Sequence, residues 1–166
     1  PDMGPLINQE AVNRFLQVQK YAEKQGYETL RTGRETRVHS FQGYFVTPAV
    51  HFKEKVLTPR IDPYRDIEIF SPNVDIVVCG SLEEMIAYNN GSPYGLVTSV
   101  FTGDKKVFHQ LPSKLDTGII HWNRSTAMTP GVLPFGGTKA SGNHRPAGLH
   151  AILQCVYPVG GVEKQF

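Results

Sequence analysis

The sequence predicts an α/β fold built on an open, mainly parallel sheet flanked by helices, with a C-terminal tail strand over 156–162. Nearly continuous apolar runs at 74–79, 96–102 and 118–122 are typical of strands buried in such a sheet. Capped helical segments separate these runs, and the alternating order indicates right-handed crossovers between parallel strands. No linker, repeat or low-complexity tract divides the chain, so we expect a single domain over residues 1–166.

Capping residues mark where the predicted helices begin. Asn8 is a favourable N-cap for the first helix, which we expect to end at Gly26. Ser81 and Glu84 form a capping box for a second helix through Tyr88. Apolar residues of the first helix recur at three- and four-residue steps and therefore share one face: Ala11, Phe15, Val18 and Ala22.

Proline and glycine divide the remaining segments. A third helix is predicted from Asp104 to about Leu115, with Pro112 kinking or splitting it. Pro48 breaks an extended segment over 44–52, which indicates an edge strand or a bend in the chain. The shorter predicted elements are strands at 28–31 and 36–41 around a turn at Gly33, an extended segment at 61–72, and a helix at 146–153.

Composition and charge exclude several kinds of partner. Seventeen basic and fifteen acidic side chains give a net charge of +2, which does not favour nucleic acid or an anionic membrane surface. No apolar run approaches the roughly 20 residues that cross a bilayer. The two cysteines lie far apart, and the six histidines have no metal-binding spacing. We therefore expect a cytoplasmic protein with no metal and no nucleic-acid or membrane partner.

A long loop follows the strand at 118–122 and runs to Pro146. Loops longer than about 12 residues are usually functional or disordered, and this one carries the aromatic Phe135 before a glycine pair. Gly136 and Gly137 allow positive φ angles and a close approach to a ligand. A plain glycine turn with Phe135 plugging the core explains the same residues equally well.

Short sequence phrases follow one another along nearly the whole chain: MGPLI at 3–7, GYFVTP at 43–48, EIFSP at 68–72, NGSPYGL at 90–96, and the W-N, P-F-G-G and S-G-N-H-R-P series of the long loop. In this order and spacing they resemble the C-terminal part of the aldehyde dehydrogenase superfamily. No single phrase is specific, whereas the ordered set is. SGNHRP and the ending CVYPV at 155–159 look most like the succinylglutamate semialdehyde dehydrogenases.

The resemblance implies an oxidoreductase that converts an aldehyde to a carboxylate, here succinylglutamate semialdehyde in arginine catabolism. In the family a cysteine thiolate attacks the aldehyde, hydride leaves to NAD or NADP, and a glutamate-activated water hydrolyses the thioester. The nucleophile would lie upstream of residue 1, and the glutamate phrase and the nucleotide-binding domain are also missing. We expect the chain to be the C-terminal portion of such an enzyme and to be inactive alone.

The resemblance also implies where this chain meets the cofactor. Glu68 would accept hydrogen bonds from two ribose hydroxyls, and Phe70 would hold the nicotinamide ring against the reacting carbon. A surface glutamate beside a core phenylalanine is the alternative for these two residues. Ser71 stands where a glycine is more common, so we expect it to restrict the local backbone. Phe135 resembles the residue that lines the substrate end of the tunnel.

An acidic substrate would need cationic or polar side chains to hold it. Asn143, His144 and Arg145 are the candidates, because arginine offers a two-pronged fork to a carboxylate. Arg145 could equally pair with a structural aspartate. Asn123 and Arg124 are further candidates of the same kind.

The cysteines of this chain are predicted to be small buried side chains and not nucleophiles. Neither Cys79 nor Cys155 lies at a helix N-terminus or beside a cation, which is where thiolates are stabilised. An independent thiol hydrolase is therefore disfavoured, whereas a non-catalytic association module remains an alternative. We expect no tight binding of NAD or NADP to the chain alone. Its expected partners are the missing N-terminal cofactor domain and, through the tail strand, a second copy of the chain.

Overall fold

The computed structural model describes residues 3–55, 63–127, 129–143 and 147–164. It has the mixed α/β architecture that the sequence predicted. The chain forms two compact units, Pro1–Gly91 and Ser92–Phe166. The single domain over the whole chain stays a prediction. Within the described residues, no helix is long and apolar enough to cross a membrane.

The described elements of the first unit are α1 (Gln9–Lys24), β1 (Glu28–Arg31), β2 (Glu35–Val38), β3 (Phe41–Val46), β4 (Ala49–Lys53), β5 (Asn73–Val77) and α2 (Leu82–Asn90). Strand β4 pairs antiparallel with β1 and parallel with β5, whereas β2 and β3 form a separate hairpin. The segment predicted at 44–52 is therefore two strands, because Pro48 has no N–H to continue the pairing. The strand predicted at 36–41 ends at Val38, since residues 39–40 form the hairpin turn.

Helix α1 begins as its cap predicts and supplies much of the core of the first unit. The Asn8 Oδ1 atom accepts a hydrogen bond from the Ala11 N–H at 2.9 Å. One apolar cluster joins the buried face of α1 to Ala49 of β4, and another joins it to Tyr27 and Tyr64. Residues buried on this face are Ala11, Val12, Phe15, Val18, Gln19 and Ala22. The predicted apolar face is thereby confirmed.

Strand β5 is covered on one face only, which corrects the expectation of burial on both. Val77 packs against the Tyr64 cluster, and Asp75 bonds to Tyr64. On the opposite face Val74 and Ile76 are 55% and 43% exposed. Side chains alternate along a strand, so one face of β5 meets the core while the described residues leave its other apolar face open to water.

The described elements of the second unit are β6 (Tyr94–Gly95), β7 (Val97–Val100), α3 (Lys105–Gln110), β8 (Ile119–Trp122), β9 (Thr138–Lys139) and a 3₁₀ helix (Gly148–Gln154). Strands β7 and β8 pair in parallel, as predicted, and β6 pairs antiparallel with β9. Helix α3 ends at Gln110 and not at Leu115, because Pro112 cannot donate the next helical hydrogen bond. The helix predicted at 146–153 is the 3₁₀ helix, which begins at Gly148 with a φ of 70°.

The C-terminal tail does not form the predicted strand within the described residues. Residues 156–162 have no strand pairing, and Tyr157 and Val159 are 94% and 93% exposed. A strand requires a neighbour to pair its N–H and C=O groups. Pairing of the tail with a second copy of the chain stays a prediction.

Candidate functional site

Glu68 and Phe70 project from an extended segment that Ile69 anchors to the core. Ile69 packs against both apolar clusters of the first unit. Glu68 is exposed, and Phe70 is 71% exposed. Ile69 is thus partly buried, whereas the residues on either side of it are exposed. Phe70 is therefore not the core phenylalanine of the alternative interpretation.

The backbone at Phe70 is strained. Its φ of 54° lies in the left-handed region, where a bulky residue with a Cβ atom is uncommon. Such conformations cost roughly 1–3 kcal/mol and tend to occur at functional sites. We expected Ser71, which stands where a glycine is more common, to restrict the local backbone. The residue in the left-handed region is Phe70 instead, so Ser71 is not the source of this strain. The Ser71 Oγ atom is buried without a hydrogen-bond partner among the described residues.

Hydrogen bonds at both ends hold the loop at 64–73, which carries Glu68 and Phe70. The Asn73 side-chain amide donates to the Tyr64 hydroxyl at 2.9 Å, and that hydroxyl donates to the Asp75 carboxylate at 2.7 Å. The Pro72 carbonyl accepts from the Ala49 N–H at 3.0 Å. The two ends of the loop therefore meet on the buried face of the β4–β5 pair, and its middle displays the candidate cofactor residues.

Gly137 of the long loop packs closely against Gly118. Gly137 has a φ of 68°. Its Cα atom lies so close to Gly118 that a Cβ added there would stand 2.8 Å away. Hydrogen bonds also tie the following residues to β6, with Thr138 donating to the Gly95 carbonyl and Ser141 accepting from the Gly95 N–H. The close approach at Gly137 is therefore to the chain's own backbone, at Gly118.

Replacing Gly118 by alanine is expected to destabilise the second unit by about 1–3 kcal/mol, the usual cost of overpacking. The new methyl group would press on Gly137 backbone atoms, which cannot rotate away as a side chain can. Denaturant unfolding followed by the fluorescence of Trp122 measures the effect. Gly103→Ala is the matched control, since nothing lies within 4 Å of its added Cβ. Equal stability of the two variants would contradict this packing role.

The candidate substrate residues are only partly accounted for. Phe135 is 39% exposed, so it does not plug the core, and its carbonyl accepts from the Ala147 N–H at 2.7 Å. Asn143 is exposed. His144 and Arg145 lie outside the described residues, and their role stays a prediction.

Asn123 has a structural role that competes with substrate contact. Its φ is 50°, and its side-chain amide pairs with Thr102, accepting from the N–H at 2.9 Å and donating to the C=O at 3.0 Å. The amide therefore extends the β7–β8 pairing by one residue. Arg124 is exposed.

Neither cysteine is poised as a nucleophile. Burial raises the pKa of the half-buried Cys79 thiol, and the nearby Glu84 carboxylate adds to this shift. Cys155 is exposed, which corrects the expectation that it is buried. In the described part of the chain, no group of His, Cys, Asp and Glu side chains is arranged to hold a metal ion.

Two buried histidines, His51 and His121, were not predicted from the sequence. Both occupy strand positions where an apolar side chain would be usual. The signal was present in β4, where His51 stands at an inward position of the alternating segment at 49–53.

Comparison with known proteins places the chain among aldehyde dehydrogenases. Residues 1–158 match the aldehyde dehydrogenase family. N-succinylglutamate 5-semialdehyde dehydrogenase of Caulobacter sp. (strain K31) is 33% identical over 165 residues, which is 99% of this chain and 32% of the relative. The enzyme of the same name from Yersinia pestis (strain Pestoides F) is 31% identical, covering 98% and 31%. The chain thus spans about a third of the length of these relatives.

Solved structures are similar as well. An aldehyde dehydrogenase from Bacillus cereus in complex with NAD+ has a TM-score of 0.73 and 34% identity, covering 90% of this chain and 29% of that one. An indole-3-acetaldehyde dehydrogenase from P. syringae, in complex with NAD+ and IAA, has a TM-score of 0.79 and 26% identity, covering 92% and 30%.

Proposed function

Because the chain belongs to the aldehyde dehydrogenase family, we propose that it is the C-terminal portion of an NAD(P)-dependent enzyme that oxidises succinylglutamate semialdehyde to the carboxylate. Relatives that bear this substrate in their names support the choice of aldehyde. NAD or NADP, bound in the complete enzyme, accepts the hydride. The nucleophile and the general base come from the remainder of that enzyme.

The observation that carries the proposal is the outward, strained presentation of Phe70 beside Glu68. A phenylalanine that is 71% exposed at a φ of 54° has no packing reason for that conformation. A flat apolar ring beside a carboxylate suits a nicotinamide riboside, since the ring can hold the nicotinamide while the carboxylate accepts from ribose hydroxyls. We assign these two roles to Phe70 and Glu68.

The same proposal gives the second unit a part in substrate recognition. Phe135 is 39% exposed and offers an apolar surface to a substrate. Asn143, His144 and Arg145 would bind the carboxylates of a succinylglutamate-type substrate, because guanidinium and amide groups match carboxylate oxygens.

We predict that the isolated chain oxidises no aldehyde. Cys79 and Cys155 lack the setting of a nucleophile, and the raised pKa of Cys79 reduces its thiolate fraction near neutral pH. NAD(P)H production with succinylglutamate semialdehyde and with simple aldehydes is the measurement. Turnover that persists in the chain and disappears in Cys155→Ser would refute the assignment of the nucleophile to another segment.

Tight cofactor binding by the isolated chain is not expected either. Micromolar affinity corresponds to about −8 kcal/mol, more than Glu68 and Phe70 should supply. Calorimetry with NAD and NADP tests this expectation. Micromolar binding would point to a nucleotide site elsewhere in the chain.

The exposed apolar tail favours association as a second function. Tyr157, Val159 and Val162 are almost fully exposed, and apolar surface of this kind promotes contact with another chain. We predict that the intact chain forms a dimer or larger assembly that a variant ending at Gln154 does not form. Sedimentation at tens of micromolar compares the two. If both are monomers, the tail has no such role.

A further inference from the structure

Beneath the loop at 64–73 lies a row of polar side chains, one from each strand of the β1–β4–β5 sheet. His51 of β4 is fully buried. Its register partners are Thr29 on β1 and Asp75 on β5. The Tyr64 ring meets the His51 ring edge-on, with 5.7 Å between their centroids. Burying the His51 imidazole is costly unless its hydrogen bonds are satisfied.

The hydrogen bonds of Thr29 determine the tautomer of His51. The Thr29 hydroxyl donates to the Glu23 carboxylate at 3.0 Å, which uses its single proton. The His51 Nδ1 atom lies 3.2 Å from the same hydroxyl oxygen. Nδ1 must therefore donate to that oxygen. The neutral imidazole then has its lone pair at Nε2.

At the other side of the ring, two acceptors lack a donor. The His51 Nε2 and Asn73 Oδ1 atoms are both buried without a hydrogen-bond partner among the described residues. The Asn73 amide cannot rotate to supply the missing donor, because its Nδ2 atom already donates to the Tyr64 hydroxyl and to the Asp75 carboxylate, each at 2.9 Å. A proton on Nε2 would supply the missing donor.

Burial and the neighbouring groups shift the pKa of His51 in opposite directions. Burial lowers the pKa of His51, whereas Asp75, Glu23 and Asn73 act to raise it. Of the described charged and titratable groups, Glu23 of α1 and Asp75 of β5 act on the ring electrostatically, and the Tyr64 ring contacts it edge-on. Tyr27 packs on Tyr64, with 4.9 Å between the ring centroids. The Lys53 ammonium lies over the Tyr27 ring, 4.6 Å from its centroid.

Asn73 connects this row to the candidate cofactor residues. It joins the Tyr64 end of the loop to the Asp75 end, and Ile69, in the middle of the loop, packs on the Tyr64 cluster. We propose that His51 is a positioning residue for Glu68 and Phe70, which binds Asn73 when protonated and releases it when neutral. The inference deepens the proposed function, since it assigns pH-dependent control to the same site.

The test is a pH titration of the isotopically labelled chain by nuclear magnetic resonance. We expect His51 to titrate with a midpoint below 6.5, because burial lowers its pKa. The amide signals of Glu68 and Phe70 should shift with that same midpoint. His121 is the internal control: it is also buried, but its Nδ1 atom bonds to the Ser125 carbonyl at 2.7 Å in the second unit. His121→Gln should therefore leave the pH response of Phe70 unchanged.

Two variants separate positioning from a general effect on the fold. His51→Gln keeps a donor and an acceptor but cannot titrate, so the shared pH response of Glu68 and Phe70 should disappear. Tyr64→Phe keeps the ring against His51 and removes the hydroxyl that binds Asn73 and Asp75. His51 should still titrate in that variant, with a smaller response at Phe70.

The inference is overturned if Phe70 ignores the titration of His51, if the response survives in His51→Gln, or if His51 stays neutral down to the pH of unfolding. These outcomes are independent of the proposed function, because the experiment contains no cofactor. If Phe70 follows His51 while Glu68→Gln leaves cofactor binding by the complete enzyme unchanged, the proposed function fails and the coupling of His51 to the loop stands.

Discussion

Replacing Glu68 by glutamine in the complete enzyme is expected to raise the KM for NAD or NADP about tenfold or more. Hydrogen bonds to a charged group contribute about 1.5–3 kcal/mol each, and 1.4 kcal/mol corresponds to a factor of ten. The exposed Glu68 side chain is free to act on a ligand. The KM for the aldehyde should change little. Steady-state kinetics with each substrate varied in turn measures both effects.

Glu83→Gln is the matched control for this substitution. It removes the same charge from another exposed glutamate of the same unit, in the first turn of α2. A net-charge effect would appear equally in both variants. If Glu68→Gln behaves like Glu83→Gln, Glu68 does not bind the ribose and the cofactor assignment is wrong.

Replacing Phe15 by alanine is expected to destabilise the first unit by about 3–5 kcal/mol, the range found for buried aromatic residues. The Phe15 ring is fully buried and packs so closely against Gly33 that a Cβ added there would overlap it. Urea unfolding followed by circular dichroism measures the loss. Phe41→Ala is the control, since Phe41 lies in the same unit and is 61% exposed.

The contact between Phe15 and Gly33 can be tested separately. Gly33→Ala should destabilise by about 1–3 kcal/mol through overpacking. Combined with Phe15→Leu, which shortens the side chain, it should cost less than the sum of the single changes. Strict additivity would mean that the ring and the glycine do not constrain one another.

Local signals in the sequence were enough to predict several elements. The N-cap at Asn8, the apolar face of α1 and the N-cap at Ser81 depend on residues a few positions apart, and the structure confirms them. The capping box is confirmed only in part, because the Glu84 carboxylate accepts from the Gly80 N–H, one residue before the N-cap. The pairing of Lys139 with Tyr94 joins β9 to β6, which are far apart in the chain, and no local sequence pattern indicates it. The open face of β5 was missed because a continuous apolar run indicates burial without indicating which residues provide it.

Less of the candidate site could be predicted from the residues alone. Glu68 and Phe70 were singled out by resemblance, because an exposed glutamate and a phenylalanine are common anywhere. The left-handed φ of Phe70 could not be read from a residue type that normally avoids it. His51 was overlooked because a histidine counts as polar in any hydrophobic pattern, while its burial depends on partners from other strands.

The strain at Phe70 means that stability and activity make opposite demands on this position. Glycine would adopt a φ of 54° without the penalty that a Cβ atom incurs. Selection for stability alone would therefore favour Phe70→Gly, at the loss of the aromatic ring. Efforts to make the complete enzyme more heat-resistant by removing backbone strain would be drawn to this residue. Phe70 should be held fixed in any such design, and the added stability sought in the buried face of α1.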